Sequence, residues 1–250
     1  MDKASKQKSG MRQMYILIAL CTLGVTGIME FDDYMTWQAL AAESPDSIQA
    51  NTKLEAFAEK RGRDGYMGYC VSCHGENVRG AREGVPDLTD GEWLYDTGRV
   101  SEIERTILYG IRSGNRRGHN VTDMPPIGRQ RTLSREEVAD VTAYVLSLSG
   151  RKAVNGSSER GAALYQDKGV CYDCHGQNAE GIPDYGAPSL SDGKWLYGGD
   201  EKAVFNSIYD GRHGECPAFA DKMTPATARA IAVYLHSVSR EAPPGRASSQ

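Results

Sequence analysis

The sequence predicts a mostly α-helical protein, an N-terminal transmembrane helix followed by two tandem copies of one small domain. Three observations carry this expectation. Sixteen residues from Met14 to Met29 contain no charge. Laying the chain on itself at an offset of 101 residues sets Cys70 against Cys171, with matching segments on both sides. Each copy closes in a stretch whose apolar residues recur at helical spacing, and β-branched runs are few.

At the N-terminus, Lys3, Lys6, Lys8 and Arg12 precede "MYILIALCTLGVTGIM", and Glu30, Asp32 and Asp33 follow it. Basic before and acidic after predicts an N-terminus inside and the bulk of the chain outside. Residues 1–33 are therefore read as a membrane anchor, near the short limit for a spanning helix. A cleaved signal is the competing reading, because "ALA" at Ala39 to Ala41 resembles a cleavage site. That site lies well past the apolar run and beyond the acidic residues, which favours retention. Cys21 could be read as a lipidation site, but large Leu20 precedes it and the apolar run continues, so it reads as a small residue facing lipid.

The remaining organisation follows from the repeat. Residues 34–52 read as a linker helix, 53–150 as the first domain, 151–158 as a polar linker, 159–242 as the second domain and 243–250 as a tail. Shorter helical patterns at "LEAFAEKRGRDGYMG" and "SSERGAALYQD" open the copies. In "SREEVADVTAYVLSLS", Ser134 is a natural N-cap with Glu137 three positions on, and Val138, Val141, Val145 and Leu148 form the apolar stripe. In "TPATARAIAVYLHSVS", Thr224 caps, Pro225 takes the first helical position, and Ile231, Leu235 and Val238 form the stripe. A formal charge of -4 supplies no basic footprint, which argues against a nucleic-acid partner.

"CVSCH" (Cys70, Cys73, His74) and "CYDCH" (Cys171, Cys174, His175) are the attachment pattern of c-type haem. Two thiols at that spacing reach the two vinyl groups on one side of a porphyrin, and the next residue presents an imidazole to the iron. A redox dithiol would leave the repeated histidine unexplained, and a zinc site would need a second pair of ligands within each copy. Each copy is small, and one covalently held haem c in each, two haem c in all, would complete the cores.

A six-coordinate iron also takes a distal ligand. In the first copy the candidate is Met124, before Pro125 and Pro126, and a thioether raises the iron potential. In the second the aligned residue is Cys216, which belongs to no obvious pair. Cys216, His213, Met223 or an open distal face all remain available there. A Cys216 thiolate would push electron density to the iron and depress its potential. His119 reads as solvated, and the loop with Arg112, Arg116 and Arg117 as solvated or as steering an acidic partner. Trp93, 19 positions after His74, and Trp195, 20 after His175, read as packing aromatics.

The paired segments "PDLTDGEWLY" and "APSLSDGKWLYGG", "MPPIG" with "ADVTAYVLSLSG", and "IYDGRHGECPAFADKMT" with "AIAVYLHSV" resemble subunit III of cbb3-type cytochrome c oxidase, also called CcoP or FixP. The resemblance covers about residues 45 to 240. It implies two class I cytochrome c domains, with His74 and Met124 as axial ligands of the first haem and His175 proximal at the second. Family members usually carry methionine where this sequence has Cys216. The resemblance further implies a dihaem electron carrier on the periplasmic side of a bacterial inner membrane. Its electrons would come from a soluble cytochrome c donor and go to integral membrane oxidase subunits. The alternative from the residues is an enzyme or gas sensor in which an unusual second haem acts on a small sulfur or nitrogen compound.

Overall fold

The computed structural model describes residues 30–121 and 123–241. The apolar run from Met14 to Met29, Cys21 and the 243–250 tail lie outside the described residues. Among the described residues the fold is helical, with isolated β-bridges and no strand. No described helix is long and apolar enough to cross a membrane.

A helix at residues 30–42 (α1) leads into a 3-10 turn, Pro45–Ala50, and then α2, Thr52–Tyr69. Asn51 starts α2 by accepting from the Leu54 amide at 3.2 Å. The single turn α3, Val71–His74, follows directly, and after a long loop comes α4, Val100–Tyr109. The capping box expected at Ser134 and Glu137 opens α5, Arg135–Leu148. The second repeat supplies α6, Ser158–Gln166, the turn α7, Tyr172–His175, and α8, Glu201–Asp210. It ends in α9, Pro225–Glu241, where Thr224 accepts from the Thr227 amide.

Neither closing helix packs on its own repeat. α9 lies along α2 and α4, whereas α5 lies along α6 and α8. One core joins Leu54, Ala58 and Tyr66 of α2 and Ile103 and Ile107 of α4 to Ile231 and Leu235 of α9. The other joins Val138, Val141 and Val145 of α5 to Val204 and Ile208 of α8. The expected apolar stripes are thus real, but each is buried against the other half of the chain.

Two matched close approaches set this geometry. A Cβ on Gly62 of α2 would overlap the Ala230 carbonyl of α9, and one on Gly161 of α6 would overlap the Asp140 carbonyl of α5. One turn later, the buried Tyr66 and Tyr165 meet aromatic partners across the same contacts. Tyr66 tilts against Tyr234 at 5.6 Å between centroids, and Tyr165 stands edge-on to Tyr144 at 5.4 Å. Their hydroxyls donate to the Gly75 and Gly176 carbonyls, which end the two attachment turns.

Polar contacts tie the helices across the same seams. Arg160 of α6 donates twice to the buried Asp140 of α5, each bond 2.7 Å, and the Ser157 amide donates to it at 2.6 Å. Asp140→Ala should cost about 2 kcal/mol, the scale of hydrogen bonds to a buried charge, read as a lower midpoint in chemical denaturation. These bonds from Arg160 hold the Asp140 carboxyl below its usual range. Because the folded value is depressed, its stabilisation is present above the ordinary carboxylate pKa of about 4 and fades as pH falls through the lower folded value. The wild type is therefore expected to lose stability in acid more steeply than Asp140→Asn, a difference read from unfolding midpoints across pH.

Arg229 of α9 plays a comparable part in the first core. Its side chain is 13% exposed, pairs with Glu104 of α4 at 2.9 Å, and donates to the carbonyls of Leu40, Ala41 and Glu43 where α1 ends. Arg229→Met leaves the Glu104 carboxylate buried without its partner and should cost about 3 kcal/mol in the same measurement. The stretch expected as a polar linker is also held down, since Val154 and Asn155 donate backbone amides to Glu201 and Arg151 donates to Gly199.

Candidate functional site

Each attachment motif is a single helical turn hung on a longer helix. Cys70 ends α2, and the amides of Cys73 and His74 both donate to its carbonyl, at 3.1 and 3.0 Å. Gly75 then stops the turn with φ 75°, a conformation that favours glycine. The second copy repeats this, with the Cys174 and His175 amides on the Cys171 carbonyl and Gly176 at φ 80°. Among the described residues Cys70, Cys73, Cys171, Cys174 and Cys216 form no disulfide. Each motif therefore presents two thiols and one imidazole from a rigid turn.

His175 is oriented for ligation, whereas the buried Nδ1 of His74 has no hydrogen-bond partner. His175 Nδ1 donates to the Pro188 carbonyl at 2.9 Å, which leaves Nε2 as the free lone pair. Burial lowers the pKa of both His74 and His175, opposed in each by a proline carbonyl, Pro86 or Pro188. Both rings are thus held neutral, the form that binds iron. Burial also pushes the thiols up, Cys70 to about 12 with Cys216 and Cys73 adding to it, and Cys171 to about 11. Cys70 packs against the first core, as do Val71, Leu88 and Trp93, and Cys171 against the second, as do Leu164, Leu190 and Trp195.

The donor set fits haem c. The buried indole Nε1 of Trp195 has no protein partner, as a donor reserved for an anionic substituent such as a porphyrin carboxylate would. No cluster of three or more His, Cys, Asp or Glu side chains among the described residues forms a metal cage, so the zinc reading lacks its ligands. Trp93 and Trp195 pack against the two cores, as expected.

The distal residues are where sequence alignment and structure part. Alignment along the repeats sets Met124 over the first motif and Cys216 over the second. In the structure Met124 packs against the core that includes Cys171 and Trp195, and its backbone pairs with Arg212. Cys216 pairs with Ile111; burial pushes its thiol up to about 11 with Cys73 adding to it, and Cys216 in turn adds to the burial that raises Cys70. The closing segments cross, so each of these two residues lies in the half opposite to the one that alignment gives it. Among the other candidates, Met223 is buried in the first core, and His213 is half exposed and bound to Asp123 at 2.8 Å.

Two loop expectations also change. His119 is buried instead of solvated, with Tyr95 against its ring at 4.5 Å and Asp96 at 3.2 Å from Nε2. Burial lowers its pKa despite Asp96. Arg112 points inward, donating to the Tyr95 hydroxyl at 2.9 Å and to the Gly214 carbonyl, with Asp123 at 3.3 Å. This polar cluster joins the loop before Met124 to the loop before Cys216. Sequence reading missed it because loop residues carry no periodicity, and only the charges of Arg112 and Asp123 hinted at it.

A turn of two thiols and an oriented imidazole, hung on a helix and roofed by a second helix, defines a c-type cytochrome. Residues 59–149 match the family described as Cytochrome c, and residues 156–235 match the family Cytochrome C oxidase, cbb3-type, subunit III. The chain is 38% identical over 213 residues to the cbb3-type cytochrome c oxidase subunit CcoP of Azospirillum brasilense, covering 83% of this chain and 70% of that protein. It is likewise 38% identical to the subunit FixP of Bradyrhizobium sp. (strain ORS 278), covering 80% and 68%. The chain belongs to the CcoP/FixP family of cbb3-type oxidase subunits.

Proposed function

We propose that this chain is a membrane-anchored dihaem cytochrome that carries electrons from a soluble cytochrome c to a haem-copper oxidase. The observation that carries this is the duplication of one attachment turn, Cys70 to His74 and Cys171 to His175, in a chain whose relatives are named as oxidase subunits. Haem c, when bound, supplies a one-electron iron couple. Cys70 and Cys73, and Cys171 and Cys174, would hold it covalently. His74 and His175 would ligate from the proximal side, and Met124 and Cys216 from the distal side. The second attachment would give electrons a route through one chain.

The N-terminal run would place these domains on the periplasmic side of a bacterial inner membrane. The exposed Phe31, Tyr34 and Met35 of α1 suit that proximity, since an aromatic there sits well at a headgroup boundary. Purification from native membranes tests the reading. The chain is expected to elute with an integral haem-copper subunit, carry two haems per polypeptide, and be required for cytochrome-dependent oxygen uptake. A free monomer with one haem or none, in membranes that respire normally, overturns it.

A further inference from the structure

Asp96 and His119 form a buried ionisable pair that electron transfer by itself leaves without a task. We propose that this pair is a proton-binding site linked to the redox state of the haem held by Cys70 and Cys73, taking up a proton when that haem is reduced. The inference rests on the haem reading above and adds to it a pH-dependent control of one potential.

Differences between the repeats single the pair out. Trp93, Leu94, Tyr95 and Asp96 recur as Trp195, Leu196, Tyr197 and Gly198. Asp96 has φ 60° and Gly198 φ 85°, so both turns use the left-handed region. Glycine takes that conformation freely, whereas an aspartate there carries a backbone cost. The turn itself has no need of the carboxylate. The loop from Gly110 to Met124 is also longer than its counterpart from Gly211 to Cys216, and the added length carries His119. That loop folds back tightly. The His119 amide donates to the Gly110 carbonyl at 3.0 Å, the Arg112 amide donates to the His119 carbonyl at 2.8 Å, and a Cβ on Gly118 would overlap the Tyr109 and Gly110 carbonyls. The two departures from the repeat meet, with His119 Nε2 3.2 Å from Asp96 Oδ2.

The pair is short of a hydrogen. Asp96 Oδ2 and His119 Nε2 are both buried, and among the described residues neither has an aligned hydrogen-bond partner. A nitrogen lone pair facing a carboxylate oxygen is unfavourable, and a proton between them makes a charge-assisted hydrogen bond. Tyr95 covers the imidazole at 4.5 Å between centroids, and its hydroxyl accepts from Arg112. Burial lowers the imidazole pKa, Asp96 raises it, and Arg105 of α4 lowers it. Arg99, bound to Glu102, also lies near Asp96, and Asp123 faces Arg112. His119 is thus held on the neutral side, where an added negative charge nearby tips it towards protonation.

The pair also sits where a change of charge at the iron is felt. Trp93 packs against the same core as Cys70, and Gly98, just past Asp96, lies against its indole. On the other side, the His119 backbone bridges to Ile111, whose own hydrogen bonds go to Cys216. Charges in such a buried setting are weakly screened. When the donor supplies one electron to the iron, a proton from water binds His119 Nε2, which then donates to Asp96 Oδ2. Protonation stabilises the reduced form, so the potential is highest in acid and falls as pH rises through the histidine range.

Redox titration of the full-length holoprotein, repeated from about pH 5 to about pH 8, tests the proposal. The wild type should show a midpoint potential that falls with pH towards about 59 mV per tenfold change in proton concentration, the limit for a proton taken up with each electron. Asp96→Gly, which puts the second repeat's residue into the same turn, and His119→Gln should each flatten that slope. Asp96→Asn keeps the size of the side chain and should flatten it too. The slope should persist in Cys171→Ser with Cys174→Ser, where only the first attachment is left. As a second readout, reduction of the weakly buffered holoprotein, followed with an indicator dye, should consume more protons in the wild type than in His119→Gln. Potentials independent of pH in the wild type overturn the proposal, as does a slope that survives in Asp96→Gly or His119→Gln, or equal proton consumption by wild type and His119→Gln. A chain whose spectrum shows no haem overturns instead the functional reading on which the inference rests.

Discussion

Cys216→Met is expected to raise the midpoint potential of one haem by a few tenths of a volt, within the range of about 0.8 V that axial ligands span. A thiolate places a negative charge on the iron and favours its oxidised state, whereas a thioether is neutral and favours the reduced one. The residue is partly buried, where water screens that charge less than at the open surface. Redox titration followed optically should show two separated steps in the wild type drawing together in the variant. Two unchanged steps would remove Cys216 from the iron. Methionine at this position is also what the family resemblance implies, so the variant should fold and mature.

Gly161→Val is expected to be among the most damaging single substitutions in the second half. Its side chain would meet the Asp140 carbonyl and the Tyr144 Cβ where α6 crosses α5. Overpacking of this kind costs about 1–3 kcal/mol where side chains can shift, and here the obstacle is backbone. Loss of about 3 kcal/mol or more, with poor haem retention, is the expected result from thermal unfolding and haem quantification. Gly68→Ala is the control, because an added methyl there touches nothing and alanine favours the helix. It should be neutral or slightly stabilising. Equal stability of the two variants would mean that α5 and α6 do not touch as described.

Much of the local structure was legible in the residues. Ser134 with Glu137, and Thr224 with Pro225, announced two helix starts because capping is a short-range matter of one side chain and a few amides. The valines of α5 and the Ile231 stripe of α9 announced buried faces through their spacing. The Cys-x-x-Cys-His turns announced haem because the chemistry demands contiguous residues. Gly62 and Gly161 were not singled out, since a helical glycine shows its reason only when its partner backbone is in place. His119 looked solvated because its neighbours are polar, yet Tyr95 and Asp96 come from elsewhere to enclose it.

By itself, then, the amino-acid order determined the opening and closing helices, the two attachment turns, and the candidate ligands His74, His175, Met124 and Cys216, but it did not announce α4 and α8. All of these are set by contacts within a few residues or by covalent chemistry at fixed spacing. Which half of the fold each distal candidate lies in was decided only by tertiary structure. The two repeats are alike, so α5 and α9 present similar apolar stripes to similar grooves, and hydrophobic patterning alone does not distinguish exchange from its absence. The choice lies in particular long-range contacts: Arg160 with Asp140, Arg229 with Glu104 and the α1 carbonyls, and the paired backbones of Ile111 with Cys216 and Arg212 with Met124.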